Sequence, residues 1–353
     1  MIAGVSPSVV FRFLCSFCCL VLLASCNGSA GKAVVWQDPS YQWSWPVPPD
    51  LPRIAFLRSI SGPADFREQG KSGGVFRWLL GEAESDLPLL TPFSVVADDF
   101  GVVWVADNGA RMLYRIDLSH ERIDYIREVG GLQLSSPSGL AIDNARKRVY
   151  LTDSAFDRVF VFSLKGDLVA QWQAPGGMLR PAGMAVDASG NLYVADVLDG
   201  RVVVFGPEGQ FLERRGSRIG ENGTFSRPLN VAIGPAGELL VVDTMSFRVE
   251  VQSARGELLG TIGGPGDGPG YFARPRGIAV DLMGHVFVTD AAFDNVQVFD
   301  LTGQLLTYVG QAGSSVANFN LPAGLFVTGS GRLFVADSYN HRVQVFQLLN
   351  MER

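Results

Sequence analysis

The stretch NLYVADVLDGRVVVF, residues 191–205, holds two apolar runs. One ends in Asp196 and the next begins at Arg201. Short runs of Val, Leu and aromatics around a four-residue gap read as two antiparallel strands joined by a hairpin loop. An acid and a base facing each other across that loop are either chemical machinery or scaffolding. The rest of the chain decides between them, because the Asp recurs at positions 107, 153, 243, 290 and 337. A catalytic pair occurs once in a site, whereas this one recurs around the whole sequence.

Outward from the hairpin, the unit begins at Pro181 with PAGMAVD. Matching units begin at Pro92, Pro137, Pro228, Pro275 and Pro322, 44 to 47 residues apart. Turn residues such as Ala188-Ser189-Gly190 and Pro207-Glu208-Gly209 part further apolar runs. Four strands per unit are expected, in the third unit at 183–187, 192–195, 202–205 and 211–214. No long helical period interrupts them. Four-stranded units at this period predict an all-β, six-bladed propeller.

Three segments recur: Pro-x-Gly-apolar-Ala-apolar-Asp, aromatic-Val-Ala-Asp, and Arg-Val-x-Val-Phe. Together they resemble the NHL repeat family over residues 92–348. The sixth unit stops near Leu348 without an outer strand. RIAFLRSISG, residues 53–62, has the missing character and is expected to complete the last blade, removing its open edge. Residues 63–91 then cross into blade one, with GGVFRWLLGEA (73–83) expected as a short helix on one rim.

All four cysteines fall in the first 26 residues. FLCSFCCLVLLASC (13–26) reads as an export signal, too short for a comfortable membrane span. Its last four residues resemble a bacterial lipobox, which implies cleavage after residue 25 and lipid on Cys26. Asn27 in place of Asp implies, by the usual Gram-negative sorting rule, the outer membrane. Residues 26–52, rich in Pro and carrying Trp36, Trp43 and Trp45, are expected as an extended tether. Its prolines should block regular pairing, and its tryptophans should pack on the propeller. The propeller is expected from 53 to 353. With no further cysteine it has no disulfides, so its stability rests on a packed core.

The formal net charge is −6, and −7 without residues 1–25, where Arg12 is the only charge. An acidic chain without runs of Lys or Arg disfavours nucleic acid. The recurrent pairs Asp153–Arg158, Asp196–Arg201, Asp243–Arg248 and Asp337–Arg342 are expected to be structural, each worth a few tenths to ~1 kcal/mol. Asp98, Asp143, Asp187 and Asp281 should cap tight turns. The glycine two places after each repeat Pro is replaced by Ser94 and Asn230. These departures lie on the innermost strands and shape the central channel. Phe225, Phe272 and Phe319, in register before the repeat prolines, should pack between blades.

Phe156, Leu198, Met245, Phe247, Phe293 and Tyr339 sit at or near the tips of the second-to-third-strand loops. They are the expected partner-binding face. His120, His285 and His341 occupy different places in their blades, which disfavours a three-His zinc site. No catalytic residue and no cofactor is assigned, with a calcium site of carboxylates and carbonyls as the alternative. The sequence therefore reads as a monomeric, envelope-anchored binding or scaffold propeller for a protein or glycan. The alternative is a calcium-dependent lactonase- or lyase-like enzyme at the channel mouth, as the resemblance implies for some six-bladed relatives.

Overall fold

In the third blade, four antiparallel strands run outward from the axis in chain order: Pro181–Val186, Leu192–Asp196, Arg201–Phe205 and Phe211–Arg215. The expected bounds differ by two residues at most. The computed structural model describes residues 34, 36, 37, 43–46, 49–66, 87–216 and 225–349. The export signal, Cys26, the expected helix at 73–83 and residues 217–224 lie outside the described residues. Five blades repeat the four-stranded meander, and the sixth closes the ring.

Propeller blades bury both faces, so their inner strands are apolar throughout rather than alternating with polar residues. In the strand Leu192–Asp196 every residue is buried. Leu192 and Val194 face the second blade. Tyr193 and Ala195 face the fourth. The same alternation builds one apolar cluster at each of the six blade interfaces. Fully burying each Val or Leu stabilises by roughly 1.5–3 kcal/mol. Phe225, Phe272 and Phe319 are buried in these interfaces.

Closure follows the expected route. Ile54–Ile60 pairs antiparallel with the last strand, Arg342–Leu348, with Ile54 opposite Leu348 and Ile60 opposite Val343. Residues near the two chain ends thus share one blade, and that edge is covered. Ser44–Trp45 adds a fifth, two-residue strand against Ile54 and Ala55. The prolines of the tether lie outside these two residues, so Trp45 O is free to accept the Arg53 N–H at 2.7 Å. Trp45 packs edge-on to Phe346 and Trp36 edge-on to Phe334. Trp43 remains exposed.

Each first strand begins at one face of the ring, here the loop face, where the second-to-third-strand loops and the interblade connections lie. It ends at the opposite turn face. Among the described residues no helix is long and apolar enough to cross a membrane.

Candidate functional site

Asp196 is fully buried. Its carboxylate accepts the N–H groups of Leu179 and Arg180, both at 2.9 Å. Asp243 does the same for Ser226 and Arg227, each at 2.7 Å. Asp107 takes Leu90 and Thr91, Asp153 takes Ser135 and Ser136, and Asp290 takes Ala273 and Arg274. Asp337 accepts from Asn320, while the next N–H, of Leu321, goes to Asp294. The recurrent Asp therefore fastens the segment that leads into the first strand of its own blade. Burial raises the Asp337 pKa, against the pull of Asn320, Asn340 and Arg342.

The arginines stand opposite these acids in register at Asp196–Arg201, Asp243–Arg248 and Asp337–Arg342. Their charges mostly pair elsewhere. Arg342 reaches Asp337 at 2.8 Å. Arg201 bridges to Asp199 at 2.6 Å, Arg158 to Asp157 at 3.1 Å and Arg248 to Glu250 at 3.6 Å. The physical reason is competition. Backbone donors already occupy the buried carboxylate, and a second acid lies beside each of these arginines.

At the turn face, Asp98 accepts the N–H groups of Phe100, Gly101 and Val102. Asp187 accepts those of Ser189 and Asn191, and Asp281 those of Met283 and His285. These are side-chain-capped turns. His285 Nδ1 lies 2.7 Å from Asp281, and His120 Nδ1 lies 3.1 Å from Asp117. His341, in the left-handed region, rests against the carbonyl of Leu90. Among the described residues no three His, Cys, Asp or Glu side chains gather to hold a metal.

The six expected tip residues divide. Leu198, Met245 and Tyr339 are exposed at 44%, 61% and 58%. Phe156 lies edge-on to Phe160 and packs into the interface of blades one and two. Phe247 packs into the interface of blades four and five. Phe293 is half-buried. Only the first three are free to meet a partner at low cost. Phe156 and Phe247 are partly used in holding blades together.

The central channel encloses about 170 Å³ and is lined by Val95, Ile142, Val186, Ile233, Val280 and Val327 among others. Its loop-face mouth is a hollow of about 10 Å³ to which all six blades contribute. Three residues there carry polar side chains facing few partners: Ser94, Asn230 and Arg276. Ser94 and Asn230 were legible as departures from the repeat glycine. Arg276 was missed. Its signal was a charged residue directly after a repeat Pro, where the other units carry Phe, Ser, Ala, Leu and Ala. A calcium ion needs six to eight oxygen ligands. A mouth without carboxylates and with a guanidinium does not supply them, so the described residues do not fit a calcium centre there.

The repeat has a further geometric reason. A Cβ at Gly139 would lie 1.9 Å from the Ala182 carbonyl oxygen of the next blade, and one at Gly277 would lie 2.3 Å from that of Ala323. Neighbouring first strands thus touch backbone to backbone around the channel.

Comparisons with known proteins agree with this architecture. Residues 319–346 match the NHL repeat model, and residues 74–217 match the model of the SMP-30/Gluconolactonase/LRE-like region. A search of curated proteins returns no match. Among solved structures, a streptogramin B lyase aligns at 15% identity and TM-score 0.53, covering 74% of this chain and 95% of the other. A catalytically inactive virginiamycin B lyase from Staphylococcus aureus, with quinupristin, gives 15% and 0.55, covering 73% and 95%. An auxiliary nutrient binding protein from Bacteroides thetaiotaomicron gives 14% and 0.57, covering 74% and 70%. At such identities the likeness concerns the fold alone. Repeat register and ring topology make this chain a six-bladed β-propeller, with residues 319–346 matching the NHL repeat.

Proposed function

We propose that the protein is a binding propeller of the cell envelope, held by lipid on Cys26, that presents its loop face to a protein or glycan. One observation carries the reading. Val34 and Trp36, downstream of the proposed anchor, pack at the turn face. Val34 lies against Gly101, in the first turn of blade one. Trp36 sits under the Arg332 guanidinium, 4.1 Å from its ring centre, at the start of the second strand of blade six. Chain arriving at that side leaves the opposite face, with Leu198, Met245 and Tyr339, open to a partner.

Two experiments test this. Changing Leu198, Met245 and Tyr339 together to Ser should abolish capture of the species that the wild type retains from envelope extracts. The unfolding midpoint should not change, since exposed positions away from caps and cores shift stability by about 0.5 kcal/mol or less. Capture that survives would move the partner to another face. Cys26→Ser should release the protein from membrane fractions, and a variant still held there would remove the lipid anchor from the reading.

A second reading has one observation behind it, the match to the gluconolactonase-like region over residues 74–217. It assigns a lactonase or lyase activity to the chain, with any metal held elsewhere than at the channel mouth, whose described residues do not fit calcium. Tightly held calcium in the purified protein, with hydrolysis of a lactone panel that chelation abolishes, would favour it over the binding role.

A further inference from the structure

Among the described residues, Arg276 is the one ionisable side chain lining the loop-face mouth of the channel. It extends from the first strand of blade five toward blade one, with its guanidinium carbon 5.9 Å from the ring centre of Phe93. Among the described residues no carboxylate or carbonyl accepts from it. Burial, and then the neighbouring guanidinium of Arg274, push its pKa below the usual arginine value. A half-buried cation held beside a like charge and without a counterion costs stability.

Two further donors stand at the same mouth. Asn230 uses its Oδ1 to accept the Val231 N–H, which leaves its amide N–H groups without an acceptor among the described residues. Ser94 Oγ accepts the Leu140 N–H at 3.2 Å, and its own hydroxyl proton has no acceptor there. These two residues are the ones that replace the repeat glycine. A Cβ at Gly183 would meet Asn230, and one at Gly324 would meet Ser94. The ring has therefore admitted two polar side chains at positions of close backbone approach. Both offer donors where no protein acceptor waits.

Three further arginines lie on the same face. Arg180, Arg227 and Arg274 immediately precede the repeat prolines of blades three, four and five. Their backbones are fixed alike, each N–H on the Asp of its own blade. Among the described residues, the Arg227 side chain reaches the Val197 carbonyl at 3.5 Å and none of the three arginines makes an ion pair. In sequence these arginines are 47 residues apart and form no cluster. The ring brings them onto adjacent blades of an otherwise acidic protein.

We infer that the loop-face mouth of the channel is an oxyanion site, in which Arg276, Asn230 and Ser94 receive a carboxylate or phosphate group of the ligand. The hollow of about 10 Å³ takes one oxygen atom, roughly the room of a water molecule, and not a ring. The body of the ligand stays outside, beside Tyr339 and the three arginines. The planar fork of Arg276 suits two oxygens of one anionic group. The inference rests on the loop face being the binding face and adds the chemistry of what it binds.

The test is calorimetric titration of the full chain in detergent at low ionic strength, with glucuronate, inorganic phosphate and, as a neutral match, glucose. Glucuronate or phosphate should bind and glucose should not, and the stronger of the two anions names the group. Arg276→Gln should weaken anion binding at least ten-fold, and Asn230→Gly and Ser94→Gly, which restore the repeat residue, several-fold each. Arg255→Gln, in the outer turn of blade four, should change nothing. If Arg276→Gln fails to fold, Arg276→Lys serves: it keeps the charge, loses the fork and should still weaken binding. No binding of either anion, equal binding of glucose, or unchanged affinity without Arg276 overturns the inference. Lost anion binding with partner capture intact defeats this site alone. Intact anion binding with lost capture in the Leu198, Met245, Tyr339 variant shows the two are separate surfaces.

Discussion

The two faces of the ring use the same residue type for different work. At the turn face, Asp98, Asp187 and Asp281 each bind N–H groups within four residues of themselves, so every turn closes on its own sequence. At the loop face, Asp107, Asp153, Asp196, Asp243 and Asp290 bind N–H groups 16 or 17 residues upstream. Hydroxyls there also cross between blades: Ser154 donates to the Pro181 carbonyl, Thr244 to Pro275 and Ser338 to Pro92. The turn face has links between blades too, from Arg146 to the Ser189 carbonyl and from Ser330 to Asp99, but they run through exposed side chains, whereas the loop face fastens its connections on buried acids. Because the joining is done by backbone atoms and buried acids, tip side chains such as Leu198 and Met245 carry no structural duty. A binding face can vary there without loosening the ring.

The largest expected effect breaks the loop face. Asp243→Ala removes a fully buried carboxylate and strands the N–H groups of Ser226 and Arg227. Hydrogen bonds to a charged group are worth about 1.5–3 kcal/mol each, so urea unfolding should show a loss of roughly 3–5 kcal/mol. A loss below 1 kcal/mol would mean that the clamp does not hold the connection. Next comes Gly263→Ala, at the loop-face end of an outer strand. Gly263 sits at φ +75°, and a Cβ would lie 2.3 Å from the Phe272 ring. Left-handed strain of about 1 kcal/mol plus displacement of a buried ring predicts a loss of about 2–3 kcal/mol. Asp187→Ala, on the turn face, should cost only about 1–2 kcal/mol, because its donors at Ser189 and Asn191 can turn to water. Equal losses for Asp187→Ala and Asp243→Ala would erase the distinction between the faces.

The propeller was legible because six copies in phase repeat both the strand pattern and the turn chemistry, and a missing outer strand at one end matched an orphan strand at the other. The scaffolding role of the recurrent Asp was legible from recurrence alone, but its partners were not. Local spacing suggested the facing Arg, whereas the donors come from the connection, brought close only when the blade forms. The same holds for the channel mouth. Ser94 and Asn230 stood out as breaks in a repeat, yet Arg276 gains its meaning only when blade five faces blade one across the channel. Phe156 and Phe247 show the converse. Apolar residues at loop tips look exposed in sequence, and the ring folds them into the blade interfaces.

The smallest effect concerns a position where one blade departs from its neighbours. In blades five and six, Gln297 and Gln344 hold the incoming connection with both ends of the amide. Gln297 accepts from Gly270 and donates to the Tyr271 carbonyl, while Gln344 accepts from Ala317 and donates to that of Asn318. Blade four has Glu250 at the same place, 1% exposed, with Gln252 donating to it at 3.1 Å and Arg248 at 3.6 Å. A carboxylate can only accept, and burial pushes its pKa up, partly opposed by Gln252 and Arg248. A raised carboxyl binds its proton more tightly in the folded state than in the unfolded one. Its contribution is therefore most favourable below the ordinary carboxylate range, about pH 4, and is lost as pH rises through the raised value. Glu250→Gln supplies the amide of the neighbouring blades and removes that slope. The variant and the wild type should differ least near pH 4, and the variant should gain on the wild type as pH approaches neutrality. A stability difference that stays flat over that range would show that Glu250 titrates alike folded and unfolded, and that blade four anchors its connection by other means than blades five and six.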